Sequence, residues 1–281
     1  MLARISSSLA FFAILLFGLY SPWRHHGLIL FAIVFAATFV GTHEYYNLAR
    51  RKSLRPSPWP GHLVALAFLV DAYFLQFQHF VHILITCFWL LLLTQVFFKR
   101  TDRAVPNSAV SLFGSIYIGL PMAIILCIFK YPQHWGFRGV HDGANLLVFL
   151  LAATWSTDSG GLFIGKRWGR HKMTPVLSPN KTVEGLAGGI GMAIVFGVLL
   201  KLFWPGFQDL LRWPEIIGLS ILFAVLGTVG DLAESSFKRD AEVKDSGRTY
   251  TGHGGMLDIL DSVLLCAPVF YLYLEWVKGK W

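Results

Sequence analysis

A succession of apolar runs, each long enough to cross a bilayer as a helix, restricts this chain more than any other feature. A hydrocarbon core about 30 Å thick takes roughly 20 helical residues at about 1.5 Å each. Nine runs of that kind stand at roughly 5–21, 27–48, 61–78, 80–98, 108–129, 143–164, 185–204, 214–236 and 256–276. Backbone polar groups find no water inside lipid, so only helices or a closed barrel can span it. No barrel-type alternation runs through these segments. The expectation is an all-α, polytopic membrane protein with about nine transmembrane helices. Only 14% of the 281 residues are charged, against about 25% in a soluble domain. The first run follows Arg4, and no small-residue cleavage site precedes Pro22, so it is read as a span rather than a signal peptide. No internal repeat of the kind common in transporters is visible.

The formal net charge of +8 is gathered in short loops between apolar runs. That suits membrane topology and anionic head groups, and nucleic acid is not an expected partner. The segments 50–60, 99–107, 165–184 and 237–255, with Arg4, hold 17 of the 24 Lys and Arg residues. The positive-inside rule then places the N-terminus and these loops in the cytoplasm, where soluble nucleotides are. The expected location is a bacterial inner membrane with the active site facing the cytoplasm.

Aspartate at a helix centre in lipid costs about 2.5–3.5 kcal/mol and usually faces a bundle interior or a wet cavity. Here the acids cluster. "GDLAESSFKRD" sets Asp231, Glu234, Ser235 and Lys238 on one helical face, and "DILDS" sets Asp258, Asp261 and Ser262 on one face of the next run. Asp158, in "TWSTDSGG", lies near the end of a third apolar run. Carboxylates converging in a low dielectric need a proton or a cation among them. With oxygen donors, and His253 as the one candidate nitrogen, magnesium is favoured over zinc. The competing reading is a set of interhelical ion pairs, Asp258 with Lys238 for instance. Asp71, alone in the third run, is read as an interfacial or paired acid.

The loop "GKRWGRHKMTPVLSPNKTVEG" carries five basic residues and turn-forming Ser178-Pro179 just before a helix. Lys and Arg with exposed turn amides suit polyphosphate. Positive-inside bias accounts equally well for Arg167, Arg170 and Lys172, whereas Lys181 stands at the loop–helix junction, with Thr182 and Glu184 as capping candidates. Gly254-Gly255 permits close backbone approach to a ligand or a tight turn; His253 either contacts phosphate or caps a helix. "GLAGGIG" at 185–191 lacks a surrounding βαβ unit and is read as small-residue packing between membrane helices. "HEYYN" at 43–47 reads as an interfacial aromatic belt. Cys87, Cys127 and Cys266 have no ligand-like spacing and are expected to be packed thiols.

Taken together, these residues resemble the phosphatidate cytidylyltransferase (CDP-diacylglycerol synthase) family. Its signature S-x-x-K-R, four residues, K-D, a spacer and P-G-H-G-G-x-x-D-R-x-D appears as Ser235, Lys238-Arg239, Lys244-Asp245, Gly252-His253-Gly254-Gly255, Asp258 and Asp261. The lead-in G-D-L-x-E-S appears as Gly230-Asp231-Leu232 and Glu234-Ser235, and S-P-x-K-T-x-E-G as Ser178-Pro179, Lys181-Thr182 and Glu184-Gly185. Thr251 replaces the usual proline and Ile259 the usual arginine. The likeness is much weaker before residue 140.

The resemblance implies transfer from CTP to phosphatidate, giving CDP-diacylglycerol and pyrophosphate in phospholipid synthesis. Asp231, Asp258 and Asp261 would hold magnesium, with room for a second cation. Lys181, Lys238, Arg239 and Lys244 would clamp phosphates, and Asp245 would orient Lys244 or Arg239. Asp158, Ser178, Glu234, Ser235, His253, Gly254 and Gly255 would complete the substrate site. Residues 1–140 are expected to be scaffold helices and 141–281 to carry the chemistry. Membrane lipids are partners on this reading, and a homodimer is compatible with it. Two alternatives stand beside it: a CTP-dependent transferase for another lipid phosphate or isoprenoid acceptor, raised by Ile259, and an ion-coupled transporter, raised by acids within the membrane.

Overall fold

Long apolar segments fold here as helices, in a computed structural model that describes residues 12–20, 26–97, 103–247 and 254–279. Helix α1 covers residues 12–20 and α2 His26–Arg51. Pro58–Phe74 forms α3, which starts on Pro58, where a missing N–H costs nothing. Phe80–Phe97 forms α4. Ala104–Gly114 (α5) continues through a π-helical turn, Ser115–Gly119, into Leu120–Lys130 (α6). Val140–Trp168 is α7, and Lys172–Thr174 and Ser178–Thr182 form an antiparallel hairpin, β1–β2. Val183–Phe203 (α8), Trp213–Asp240 (α9) and Leu257–Tyr273 (α10) follow, α10 running into a π turn at Leu274–Lys278.

Among the described residues, six helices are long and apolar enough to cross a membrane: Gly27–Arg51, Ala104–Lys130, Val140–Trp168, Val183–Phe203, Trp213–Asp240 and Leu257–Lys278. They coincide with six of the nine expected spans. Of the other three, α3 has 17 residues and α4 has 18, close to the lower limit of about 17 for a span. The first run is described only over 12–20. Large apolar side chains such as Leu162, Phe163, Leu202 and Phe203 are exposed on α7 and α8, as lipid-facing surface requires. The chain is an integral membrane protein of all-helical class, with the hairpin as an addition the sequence did not announce.

The chain divides into two compact units, Met1–Cys127 with Phe237–Leu260, and Ile128–Ser236 with Asp261–Trp281. In the first, Tyr45, Phe113, Tyr117 and Phe237 form an aromatic cluster with ring centroids 5.4–6.3 Å apart. The buried Tyr46 hydroxyl donates to Ser111 O at 2.8 Å. Asp71 accepts from the His79 backbone N–H at 3.1 Å and pairs with its Nδ1 at 2.9 Å, closing the α3–α4 turn. In the second unit, Phe149, Phe207, Phe223 and Phe270 pack with centroids 5.2–6.4 Å apart. Helices α7 and α8 pack through small residues: a Cβ on Gly189 would sit 2.8 Å from Thr157 O. All three cysteines are buried thiols outside any disulfide.

Candidate active site

In the second unit, α9 carries Asp231 and Glu234 one turn apart, and α10 brings Asp261 to them. One carboxylate oxygen from each lies within 4.8 Å of the others. Glu234 and Asp261 are buried, and Asp231 is partly so. The helices can come this close because residue 230 is glycine: a Cβ there would stand 2.5 Å from Asp261 O. Asp261 accepts from the Ser262 hydroxyl at 3.1 Å, and the Ser235 hydroxyl donates to Asp231 at 3.3 Å. Asp158, on α7, is within electrostatic reach of Asp231, Asp261 and Lys181. Three carboxylates at this spacing repel one another strongly in a low dielectric. The donor set is all oxygen, which fits a hard divalent cation such as magnesium and not a thiolate- or imidazole-seeking metal.

Lys181 faces this cluster. Its Nζ lies 2.6 Å from Asp231 Oδ2 and 3.4 Å from Thr228 O. The hairpin explains the placement. Lys181 is the penultimate residue of β2, and Thr182 N-caps α8 by accepting from Gly185 N at 3.1 Å. Glu184 reaches back instead, accepting from Arg170 N at 3.0 Å and His171 N at 3.1 Å. The strand and the helix start are thus tied together on either side of the lysine. Ser178 opens β2, paired with Thr174, and is partly buried.

A second polar group lies in the first unit. Asp258, in the first turn of α10, accepts from Lys238 Nζ at 2.6 Å on one oxygen. Its other oxygen accepts from Gly255 N at 2.7 Å, Ser246 N at 3.0 Å and the Ser246 hydroxyl at 2.8 Å. Lys238 and Asp258 are largely removed from solvent, with side-chain exposures of 11% and 12%. Arg239 is exposed and donates to Val243 O at 3.2 Å, closing the end of α9. Lys244 and Asp245 are exposed and line a cavity of about 500 Å³ with Asn47, Arg51 and Ser246.

Of the expected metal set, Asp231 and Asp261 converge, and the third carboxylate beside them is that of Glu234. Asp258 is instead saturated by Lys238, Ser246 and Gly255. Gly254 adopts φ +87°, a conformation that favours glycine, and Gly255 supplies its amide to Asp258. His253 and Thr251 lie outside the described residues. Sequence reasoning passed over Glu44, Asn47 and Arg51 on α2 and Ser246. Their i, i+3, i+7 spacing on α2 was the available signal, obscured by an aromatic, belt-like context.

Clustered carboxylates beside an ion-paired lysine, on the helices of a polytopic membrane protein, are compatible with the handling of phosphate esters. The particular assignment comes from comparison. The Cytidylyltransferase family model matches residues 2–277. The chain is 33% identical over 242 residues to a protein of Bacillus subtilis named phosphatidate cytidylyltransferase, covering 84% of this chain and 86% of that one. Proteins of the same name from Synechocystis (30% over 298 residues, covering 97% and 94%) and Chlamydia pneumoniae (33% over 251, covering 86% and 80%) are similar to it as well. The chain belongs to the cytidylyltransferase family.

Proposed function

We propose that the chain transfers the cytidylyl group of CTP to phosphatidate, giving CDP-diacylglycerol and pyrophosphate. The observation that carries this is the convergence of Asp231, Glu234 and Asp261 beside Lys181 in a member of this family. A phosphate oxygen of phosphatidate attacks the α-phosphorus of CTP. The bond from that phosphorus to the bridging oxygen breaks, and its electron pair leaves with pyrophosphate. The nucleophile is already anionic, so no strong general base is needed. The barrier lies in bringing two polyanions together and in the charge on the leaving group.

Asp231, Glu234 and Asp261 would hold a magnesium ion. When bound, it supplies positive charge to the phosphate oxygens. Lys181 is held by Asp231 and Thr228, which leaves an N–H free to meet a phosphate without reorganisation. Asp158 adds negative potential that keeps Lys181 directed inward. Lys238 and Asp258, carried by the same family signature, serve the same reaction as a fixed ion pair, with Arg239 and Lys244 meeting phosphate from the surface and Asp245 orienting Lys244. Acyl chains stay in the bilayer, and the head group reacts at the cytoplasmic mouth of a bacterial inner membrane. The Lys and Arg bias of the loops supports that orientation. Ile259, where the family signature has arginine, is the residue that raises a different lipid acceptor.

The test is to supply labelled CTP with a panel of lipid phosphates and lipid alcohols to purified protein and identify the product by mass. CDP-diacylglycerol formed with phosphatidate supports the reading; a product on an isoprenoid alone refutes it.

A further inference from the structure

The N-terminal helices carry one residue whose surroundings are not those of scaffold. Glu44, on α2, is buried to 5% exposure, and its carboxylate meets residues more than 200 positions away. Oε2 accepts from Leu257 N at 2.8 Å. Leu257 is the first residue of α10, so this N–H is one of the donors a helix leaves unmatched at its start. The carboxylate also faces the positive end of the helix dipole. The Ser246 hydroxyl stands 3.2 Å from the same Oε2 and 2.8 Å from Asp258 Oδ2. One hydroxyl has one proton, so it couples the two carboxylates.

The backbone is shaped to admit this side chain. A Cβ on Gly247 would collide with Glu44 Oε1, and one on Gly255 with Glu44 Oε2 and Ser246 Oγ. Two glycines, Gly247 and Gly255, therefore clear space for a single carboxylate. The contacts run unbroken from Glu44 to Ser246, from Ser246 to Asp258, and from Asp258 to Lys238.

We infer that Glu44 is a positioning residue for the transfer reaction. It fixes the first turn of α10 and the Ser246 hydroxyl, and through them the Asp258–Lys238 pair. The inference rests on the proposed role of that pair. A cap that served only stability would leave the geometry of Lys238 unaffected once the protein is folded.

The experiment compares wild type, Glu44→Gln, Ser246→Ala and Asp71→Asn, the last altering a buried acid that closes the α3–α4 turn. Acetylation of Lys238 by an amine-reactive reagent is followed by mass spectrometry, with kcat and KM for CTP measured alongside. Glu44→Gln is expected to raise the Lys238 labelling rate about fivefold and lower kcat about tenfold, with KM changed less than about threefold, in line with losses at residues that orient reactive groups. Ser246→Ala is expected to shift both in the same direction by a smaller factor, and it decides the matter if Glu44→Gln does not accumulate. Asp71→Asn is expected to change neither. Unchanged labelling in both Glu44→Gln and Ser246→Ala, or raised labelling with unchanged kcat, overturns the inference. Labelling needs neither CTP nor lipid, so a wild type inactive with phosphatidate would refute the proposed function and leave the positioning result readable.

Discussion

Lys181 Nζ lies 2.6 Å from Asp231 Oδ2, tying the second strand of the hairpin to α9. Neither side chain is more than about a quarter exposed, at 22% and 26%. The pair leaves a cation preoriented beside three clustered carboxylates, and Lys181→Gln should remove it. Turnover of CTP is expected to fall by about 10²-fold, the usual loss for a preorganised group that stabilises developing charge. Steady-state pyrophosphate release measures it, and a loss below about threefold would remove Lys181 from the reaction.

Asp261 and Asp258 should respond differently to magnesium. Asp261 belongs to the carboxylate cluster, whereas Asp258 is taken up by Lys238, Ser246 and Gly255. Asp261→Asn is expected to raise the magnesium concentration for half-maximal activity by about tenfold or more, and Asp258→Asn to lower kcat with that concentration little changed. Magnesium titrations of the two variants decide it. An equal shift in both would put Asp258 among the ligands.

Gly230→Ala should disable the enzyme without altering a polar side chain. The new Cβ would press on Asp261 O from 2.5 Å. Overpacking of this kind costs about 1–3 kcal/mol and displaces the backbone, here the one that carries Asp261. A folded, inactive variant is the expected outcome in a melt and activity assay; wild-type kcat would show that the close approach of α9 and α10 does not matter.

Thr182→Ala removes the cap on α8, which accepts from Gly185 N at 3.1 Å. A cap of this type is worth about 1 kcal/mol, so Tm should fall by about 2–4 °C for a chain of this size class. Thermal unfolding in detergent checks the shift, and no shift would mean that α8 starts without its hydroxyl.

What could be read from the residues depended on how local the signal was. The apolar runs fixed the helical class because their length is a physical threshold, and six of them became helices of spanning length. Glu234 stood one turn from Asp231 on a legible helical face, and α10 brought Asp261 to that face. Asp258 shared the periodicity of Asp261, so spacing alone placed both in one set. Its position in the first turn of α10, next to Gly255 and Ser246, gives it other partners. The β1–β2 hairpin was not legible because its strands have three and five residues, one of them Pro179. The spacing of Glu44 to Asn47 and Arg51 gave no hint of its partners Ser246 and Leu257, which lie 202 and 213 positions along the chain.

The most direct measurement follows CTP and phosphatidate in proteoliposomes of wild type and Asp261→Asn, with magnesium present or chelated. CDP-diacylglycerol and pyrophosphate in equal amounts are expected from wild type with magnesium, neither from any protein after chelation, and far less of both from Asp261→Asn at the magnesium concentration that half-saturates wild type. Cation flux without CTP consumption, or full turnover by Asp261→Asn, would contradict a transfer reaction centred on Asp231, Glu234 and Asp261.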